Sequence, residues 1–272
     1  MISLTDNEFI SLVSFMKSNY GVNLEKKRTL IEGRLTNYIV DKGFSSFSDY
    51  LQMLYSDGSG NEQTQLVNFL TTNYSYFLRE WDHFEFLRNK ILPELRTHIT
   101  DHDLRIWSAG CSSGEEPYTI AMVLADYFGA DRSTWDMKIL ATDISQRALQ
   151  KARAGIYDAE ALEKVPEEWR KRYFAKSGTE WEIRQSLKDE VIFRTFNLMQ
   201  DKFPFRRRFH VIFCRNVMIY FDKQTKATLI SKFYEQLEDG GYLIVGQSET
   251  VGRDESDFRY IMPSVFRKGR GA

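Results

Sequence analysis

Over roughly the first ninety residues the apolar positions recur at helical spacing. Thr5-x-x-Glu8 has the form of a capping box and is followed by Phe9, Leu12, Val13 and Met16 at positions i, i+3, i+4 and i+7, which predicts a first helix. A second helix is predicted over residues 24–41, with Leu24, Ile31, Leu35 and Tyr38 on one face, Lys27 and Arg34 on its flank, and Gly43 ending it. Residues 47–55 and 63–70 read as shorter helices on either side of the polar loop 56–61. From Leu104 the pattern changes. Short apolar runs at 106–109, 138–142, 211–214 and 242–245 alternate with helical stretches, and such alternation predicts a parallel sheet covered by helices on both faces. Residues 258–261 and 265–268, around Pro263, read as an antiparallel hairpin at one sheet edge, and 181–184 with 191–195 as a small β insert. The expected architecture is therefore a doubly wound, Rossmann-like α/β domain with a small β-sheet insert at about 174–195, preceded by an all-α domain. The boundary is placed between residues 1–72 and 73–272.

Composition agrees with two folded units. A chain of 272 residues has room for one large domain and a smaller one, and 42% hydrophobic with 14% aromatic residues is more than a disordered chain offers. Thirty-seven basic against 38 acidic residues give a net charge of -1, so no overall field draws the chain to nucleic acid or anionic lipid. No apolar run approaches the roughly 18 to 20 residues needed to span a bilayer, and residues 1–8 lack the layout of a signal peptide. A cytoplasmic monomer with no membrane insertion is expected. Cys111 and Cys214 have no metal-ligand spacing and read as small apolar filler, and His83, His98, His102 and His210 form no constellation, so no metal site is expected.

The local sequence richest in chemistry is Ala109-Gly110-Cys111-Ser112-Ser113-Gly114-Glu115-Glu116-Pro117, which follows the first core strand and opens the next helix. Gly110 and Gly114 would let the backbone approach a ligand at the carboxyl end of the strand, where doubly wound sheets bind ligands. A plain loop, a dinucleotide site and an S-adenosylmethionine site all fit two glycines. The spacing is not G-x-G-x-x-G, and two acidic residues stand where a pyrophosphate needs bare amides, which disfavours a dinucleotide. The chain has no G-x-x-x-x-G-K-[ST], which removes a nucleoside triphosphatase. A sulfonium with an amino-acid tail, by contrast, tolerates a nearby carboxylate. Asp143 ends the second strand, where it can accept hydrogen bonds from ribose hydroxyls, or else cap the helix from Ile144. Gly240-Gly241 supplies a paired-glycine turn before the last core strand.

The stretches Thr71-Thr72-Asn73-Tyr74-Ser75-Tyr76-Phe77-Leu78-Arg79-Glu80, Trp107 to Tyr118, Ala141-Thr142-Asp143-Ile144 and Phe213-Cys214-Arg215-Asn216-Val217-Met218-Ile219-Tyr220-Phe221 resemble, in order and spacing, the chemoreceptor glutamate methyltransferases of the CheR family. The resemblance extends over nearly the whole chain. It implies that Asn73, Ser75, Arg79, Glu116, Asp143, Asn197, Leu198, Arg215 and Asn216 surround S-adenosyl-L-methionine, and that S-adenosyl-L-homocysteine is the product. The family more often has Thr where this chain has Ser75, which keeps the hydroxyl and loses a methyl. Arg79 and Tyr220 are expected to be the catalytic pair, Arg79 orienting the substrate carboxylate and Tyr220 hydrogen-bonding near the transferred methyl. The plainer alternatives are an ion pair of Arg79 with Glu80 or Asp82, and Tyr220 as a core aromatic beside Phe221.

The implied substrate is a glutamate side chain on the cytoplasmic helices of a methyl-accepting chemoreceptor. Lys27 and Arg34, on the second helix, are expected to bind it by charge complementarity. Some family members hold a receptor tail peptide on the β insert through a longer, glycine-containing loop. Here only Lys176-Ser177-Gly178-Thr179 connects the segment to Trp181, so methylation is expected to be independent of a tail peptide. A same-fold methyltransferase for a small molecule, and a signalling module that binds adenosylmethionine without turnover, are the alternatives.

Overall fold

The computed structural model describes residues 2–71, 74–252 and 256–269. Four helices come first. Helix α1 (Asp6–Tyr20) starts on the capping box, with Glu8 accepting from the Thr5 amide at 2.7 Å, and ends at Gly21 in the left-handed conformation, φ 71°. Helix α2 is Arg28–Asp41 and begins four residues later than the periodicity predicts. The Lys27 amide donates to Leu24 O at 2.9 Å, so 24–27 closes as a turn that buries Leu24, and Arg28 then reaches back to Leu4 O at 2.7 Å. Its buried stripe is Ile31, Leu35 and Ile39, with Tyr38 only half covered. Helices α3 (Phe47–Ser56) and α4 (Asn61–Leu70) complete the layer, and buried Glu62 of α4 takes Lys42 at 3.1 Å beyond the end of α2.

A helical stretch then leads to the sheet: α5 (Asp82–Phe86), a π-helical turn Leu87–Ile91 and α6 (Leu92–His98). The elements that follow are β1 (Ile106–Ala109), α7 (Glu115–Phe128), β2 (Ile139–Asp143), α8 (Gln146–Ala154), β3 (Ile156–Asp158), α9 (Glu167–Tyr173), β4 (Phe174–Ser177) and β5 (Glu180–Ile183). After them come α10 (Gln185–Lys188), β6 (Val191–Thr195), β7 (Phe209–Cys214), α11 (Lys223–Gln236), β8 (Leu237–Val245), β9 (Arg259–Met262) and β10 (Val265–Arg267). The main sheet runs β6-β2-β1-β7-β8-β10-β9. Its first five strands are parallel, and β10 and β9 form the predicted antiparallel edge hairpin. The order reverses between β1 and β7, the switch point at which such sheets open a crevice at their carboxyl ends.

The β insert is drawn differently from the sequence expectation. Val191–Thr195 is not part of it but is the edge strand β6, pairing with β2 from Ile139↔Val191 to Asp143↔Thr195. A run of five residues with Val191 and Phe193 buried fits either sheet, and only the partner decides. The small sheet takes its third strand from Ile156–Asp158 instead, giving the order β3-β5-β4.

Both faces of the main sheet are covered. Along β7 the residues alternate, Val211 and Phe213 joining the cluster beneath α5, α6 and α7, while Ile212 and Cys214 join the one beneath α11. On the latter side Trp107 is fully buried, its ring 4.9–5.8 Å from those of Phe196, Phe203, Phe205, Phe209 and Phe233. Its indole N–H is satisfied by Thr142 Oγ1 at 2.9 Å, as a buried indole requires.

Candidate functional site

The loop after β1 is fastened to β2 by the Gly110 and Cys111 amides, which both donate to Thr142 O, at 2.8 and 2.9 Å. Gly110 has φ 97°, and a Cβ there would lie 2.3 Å from Val217 Cγ2, so the closeness of the β7 loop demands glycine. Gly114 has another reason. A Cβ on it would meet Ala152 Cβ and the Tyr157 hydroxyl, each at 2.9 Å, so it lets α7 pack on α8 and does not face the ligand crevice as the sequence reading expected.

The crevice is an open cavity at the carboxyl ends of the strands, walled by both the sheet and the helical layer. Of the residues anticipated from sequence, Ser75, Arg79, Glu116, Asp143, Asn197, Leu198, Arg215, Asn216 and Tyr220 all line it. Asn73 lies outside the described residues. The parallel strands bring them together: Asp143 ends β2, Asn197 and Leu198 follow β6, and Arg215, Asn216 and Tyr220 follow β7. Part of the wall comes from the helical layer, through Tyr20, Val22, Val67, Leu70 and Thr71.

The buried charges form one network. Arg215, its side chain 2% exposed, donates to Glu116 at 3.0 Å and to Glu80 at 3.1 Å. Ser108 Oγ donates to Glu116 at 2.7 Å. Burial raises the Glu116 carboxyl above its ordinary range although Arg215 opposes this. At Glu80 burial also acts upward, but Arg215 and Asn216 outweigh it and the carboxyl is lowered. Asp143 accepts from the Ser112 amide at 2.8 Å and from the Ser145 amide at 2.8 Å, while burial raises its carboxyl. A carboxylate has about four acceptor positions, and with the Ile144 amide also bonded to it Asp143 keeps room for one further donor such as a ribose hydroxyl. It does not cap α8, whose N-cap is Ser145. The acidic surplus around a single buried guanidinium suits a sulfonium and is hostile to a pyrophosphate, so these residues fit S-adenosylmethionine.

Arg79 is placed differently from Arg215. It donates to Tyr74 O at 3.0 Å and lies over the Tyr76 ring at 5.7 Å. Among the described residues no carboxylate stands within ion-pair distance of it, and the acid beside it in sequence, Glu80, serves Arg215. Asn197 spends its amide locally, donating to Asn19 O at 2.7 Å and accepting from the Met199 amide at 2.9 Å. Lys27 and Arg34 do not reach the cavity wall. Lys27 is exposed at the start of α2, whereas Arg34 is half-buried and donates to Phe69 O at 2.9 Å and Thr71 O at 3.1 Å. Two carboxylates escaped the sequence reading. Glu80 looked like a surface partner of Arg79, and Glu249 stands in a Gln-Ser-Glu run that reads as loop, with nothing local to show that the chain folds it back beneath Asn216.

A switch-point cavity with an acidic residue closing the second strand, on a parallel sheet finished by an antiparallel hairpin, defines a Rossmann-like S-adenosylmethionine-dependent methyltransferase. The chain belongs to the CheR family: residues 73–266 match its "CheR methyltransferase, SAM binding domain" and residues 7–71 its "CheR methyltransferase, all-alpha domain". It is 43% identical to the chemotaxis protein methyltransferase of Borreliella burgdorferi, covering 98% of this chain and 96% of that one. It is 35% identical to the chemotaxis protein methyltransferase of Escherichia coli, covering 97% and 92%. Among the described residues no helix is long and apolar enough to cross a membrane.

Proposed function

We propose that this protein is a protein-glutamate O-methyltransferase that esterifies glutamate side chains on the cytoplasmic helices of a methyl-accepting chemoreceptor, independently of a receptor tail peptide. The observation that carries the reading is Arg79, a guanidinium in the wall of the cofactor cavity without a carboxylate partner among the described residues. It is kept available for an incoming carboxylate.

When bound, S-adenosylmethionine supplies a methyl group on a sulfonium and leaves as S-adenosylhomocysteine. The chain itself needs no base, because a glutamate with an ordinary pKa of about 4.3 is already ionised. Attack unites a negative oxygen with a positive donor, so charge diminishes at the transition state. The work left to the protein is orientation and exclusion of water, and orientation alone is worth on the order of 7 kcal/mol or more. Arg79 holds the carboxylate through a guanidinium braced on Tyr76 and Tyr74 O, and Tyr220 offers a hydroxyl on the facing loop. Arg79 orients without clamping, since binding the ground state too tightly would slow transfer.

Tritiated adenosylmethionine with membranes carrying a chemoreceptor from the same genome should give protein-bound label that alkali releases as methanol. Alkali-resistant label would exclude the ester, and no label on protein would favour a small-molecule acceptor or a non-catalytic binder. The two-residue turn Gly178-Thr179 between β4 and β5 supports tail independence. In the same assay a receptor lacking its tail should be labelled as fast as one bearing it, and a rate several-fold lower would overturn that part.

A further inference from the structure

The loop after β7 carries three of the site residues, Arg215, Asn216 and Tyr220, and it is not self-supporting. Asn216 sits at φ 59°, a left-handed conformation that costs a side-chain-bearing residue energy unless its surroundings impose it. It is held on one side by Glu80, which accepts from Asn216 Nδ2 at 3.3 Å, and on the other by Glu249, 4% exposed, in the loop after β8. One carboxylate oxygen of Glu249 accepts from the Asn216 amide at 2.7 Å and the Gly246 amide at 2.7 Å, and the other accepts from the Ile219 amide at 3.1 Å. The two ends of the β7 loop are thus tied to a single side chain. Gly246 is glycine for the same reason, because a Cβ there would lie 2.8 Å from Glu249 Oε2 and 2.6 Å from Asn216 Nδ2. From the other side the Asn23 amide donates to Tyr220 O at 2.8 Å.

We infer that Glu249 is a positioning residue for methyl transfer, fixing the Ile219 amide and with it the place of Tyr220 over the cavity. The inference rests on the reading of Tyr220 as a catalytic group. Three donors converge on two oxygens, so the geometry requires a carboxylate. An isosteric amide must turn an NH2 group toward at least one backbone N–H. Glu249→Gln is best accommodated with its oxygen toward Asn216 and Gly246 and its nitrogen toward Ile219, leaving the Asn216 end in place and releasing the Tyr220 end.

The test compares wild type, Glu249→Gln, Tyr220→Phe and the double variant, measuring receptor methylation rates and S-adenosylhomocysteine affinity by calorimetry. Glu249→Gln should lower kcat about tenfold or more while cofactor affinity stays within about threefold. The double variant should be no slower than Tyr220→Phe, since the two changes disable the same group. Unchanged kcat in Glu249→Gln, parallel loss of cofactor affinity, or full additivity with Tyr220→Phe would overturn the inference while leaving the methyltransferase reading intact. A normal rate in Tyr220→Phe alone would refute the role of Tyr220, and that of Glu249 with it. Where the glutamine variant does not fold, Glu249→Asp replaces it, because the shorter side chain keeps the charge but cannot reach all three amides, and the same results are expected.

Discussion

Two arginines in one cavity show how neighbours decide what a residue can do. Arg215 is sealed among Glu116, Glu80 and the Phe84 ring, 5.1 Å away, and its charge is spent on the wall. Arg79, in the same wall, has no carboxylate partner among the described residues, and the proposed role depends on that. Arg79→Ala should therefore cut turnover by on the order of a hundredfold while changing adenosylmethionine affinity by less than about threefold. Calorimetry alongside steady-state rates separates the two quantities, and equal losses in both would make Arg79 chiefly a cofactor ligand. Which residues face the cavity was legible through the resemblance to the CheR family, and Asp143 also through its place at the end of the second strand. Their pairings were not. Glu80 is adjacent to Arg79 in sequence, yet positive φ at Leu78 and Glu80 folds the chain so that its carboxylate meets Arg215, 135 positions away. Glu249 was invisible for a related reason, since its partners are backbone amides and amides leave no mark on a sequence.

At the scale of an element, periodicity marks the buried stripe of α2 but not what becomes of its charges. Lys27 and Arg34 looked equivalent as a basic flank, and the fold separates them. Arg34 holds the carbonyls that end α4 and lead toward the catalytic domain, whereas Lys27 projects into solvent. Lys27→Glu is expected to raise the KM for receptor about two- to fivefold, more at low ionic strength, without altering thermal stability. Arg34→Glu is expected to lower the melting temperature by several degrees, because it strands two half-buried carbonyls and brings a carboxylate against them. Steady-state kinetics at two salt concentrations, with thermal denaturation of both variants, checks the division. An unchanged KM in Lys27→Glu would remove α2 from receptor docking. The same limit applies to strands. Short apolar runs announced the core strands and the edge hairpin, but a run such as 191–195 does not name its neighbour, and the three-residue β3 is too short to show any period.

Seen whole, the molecule does not divide where its two family regions meet. Leu12, Val13 and Met16 of α1, Ile31 and Leu35 of α2 and Leu66 of α4 belong to the same buried cluster as Trp107, Ile212, Phe233 and Leu243 of the catalytic domain. Polar ties cross the seam as well, Lys17 to Asp222 at 3.0 Å, Asn197 to Asn19 O and the Asn23 amide to Tyr220 O. A shared core has a consequence for how the chain comes apart. Among the described residues the buried side chains of the helical layer run on into those of one sheet face, so the sheet would lose the cover of that face if the layer left first. Melting should then be one cooperative event: a single calorimetric transition, its van't Hoff enthalpy equal to the calorimetric one, coincident by far-ultraviolet dichroism and tryptophan fluorescence. Two resolved transitions would mean that the helical layer is a separate lid laid on a finished enzyme. One means that the protein cannot lose its helical layer without losing its catalyst.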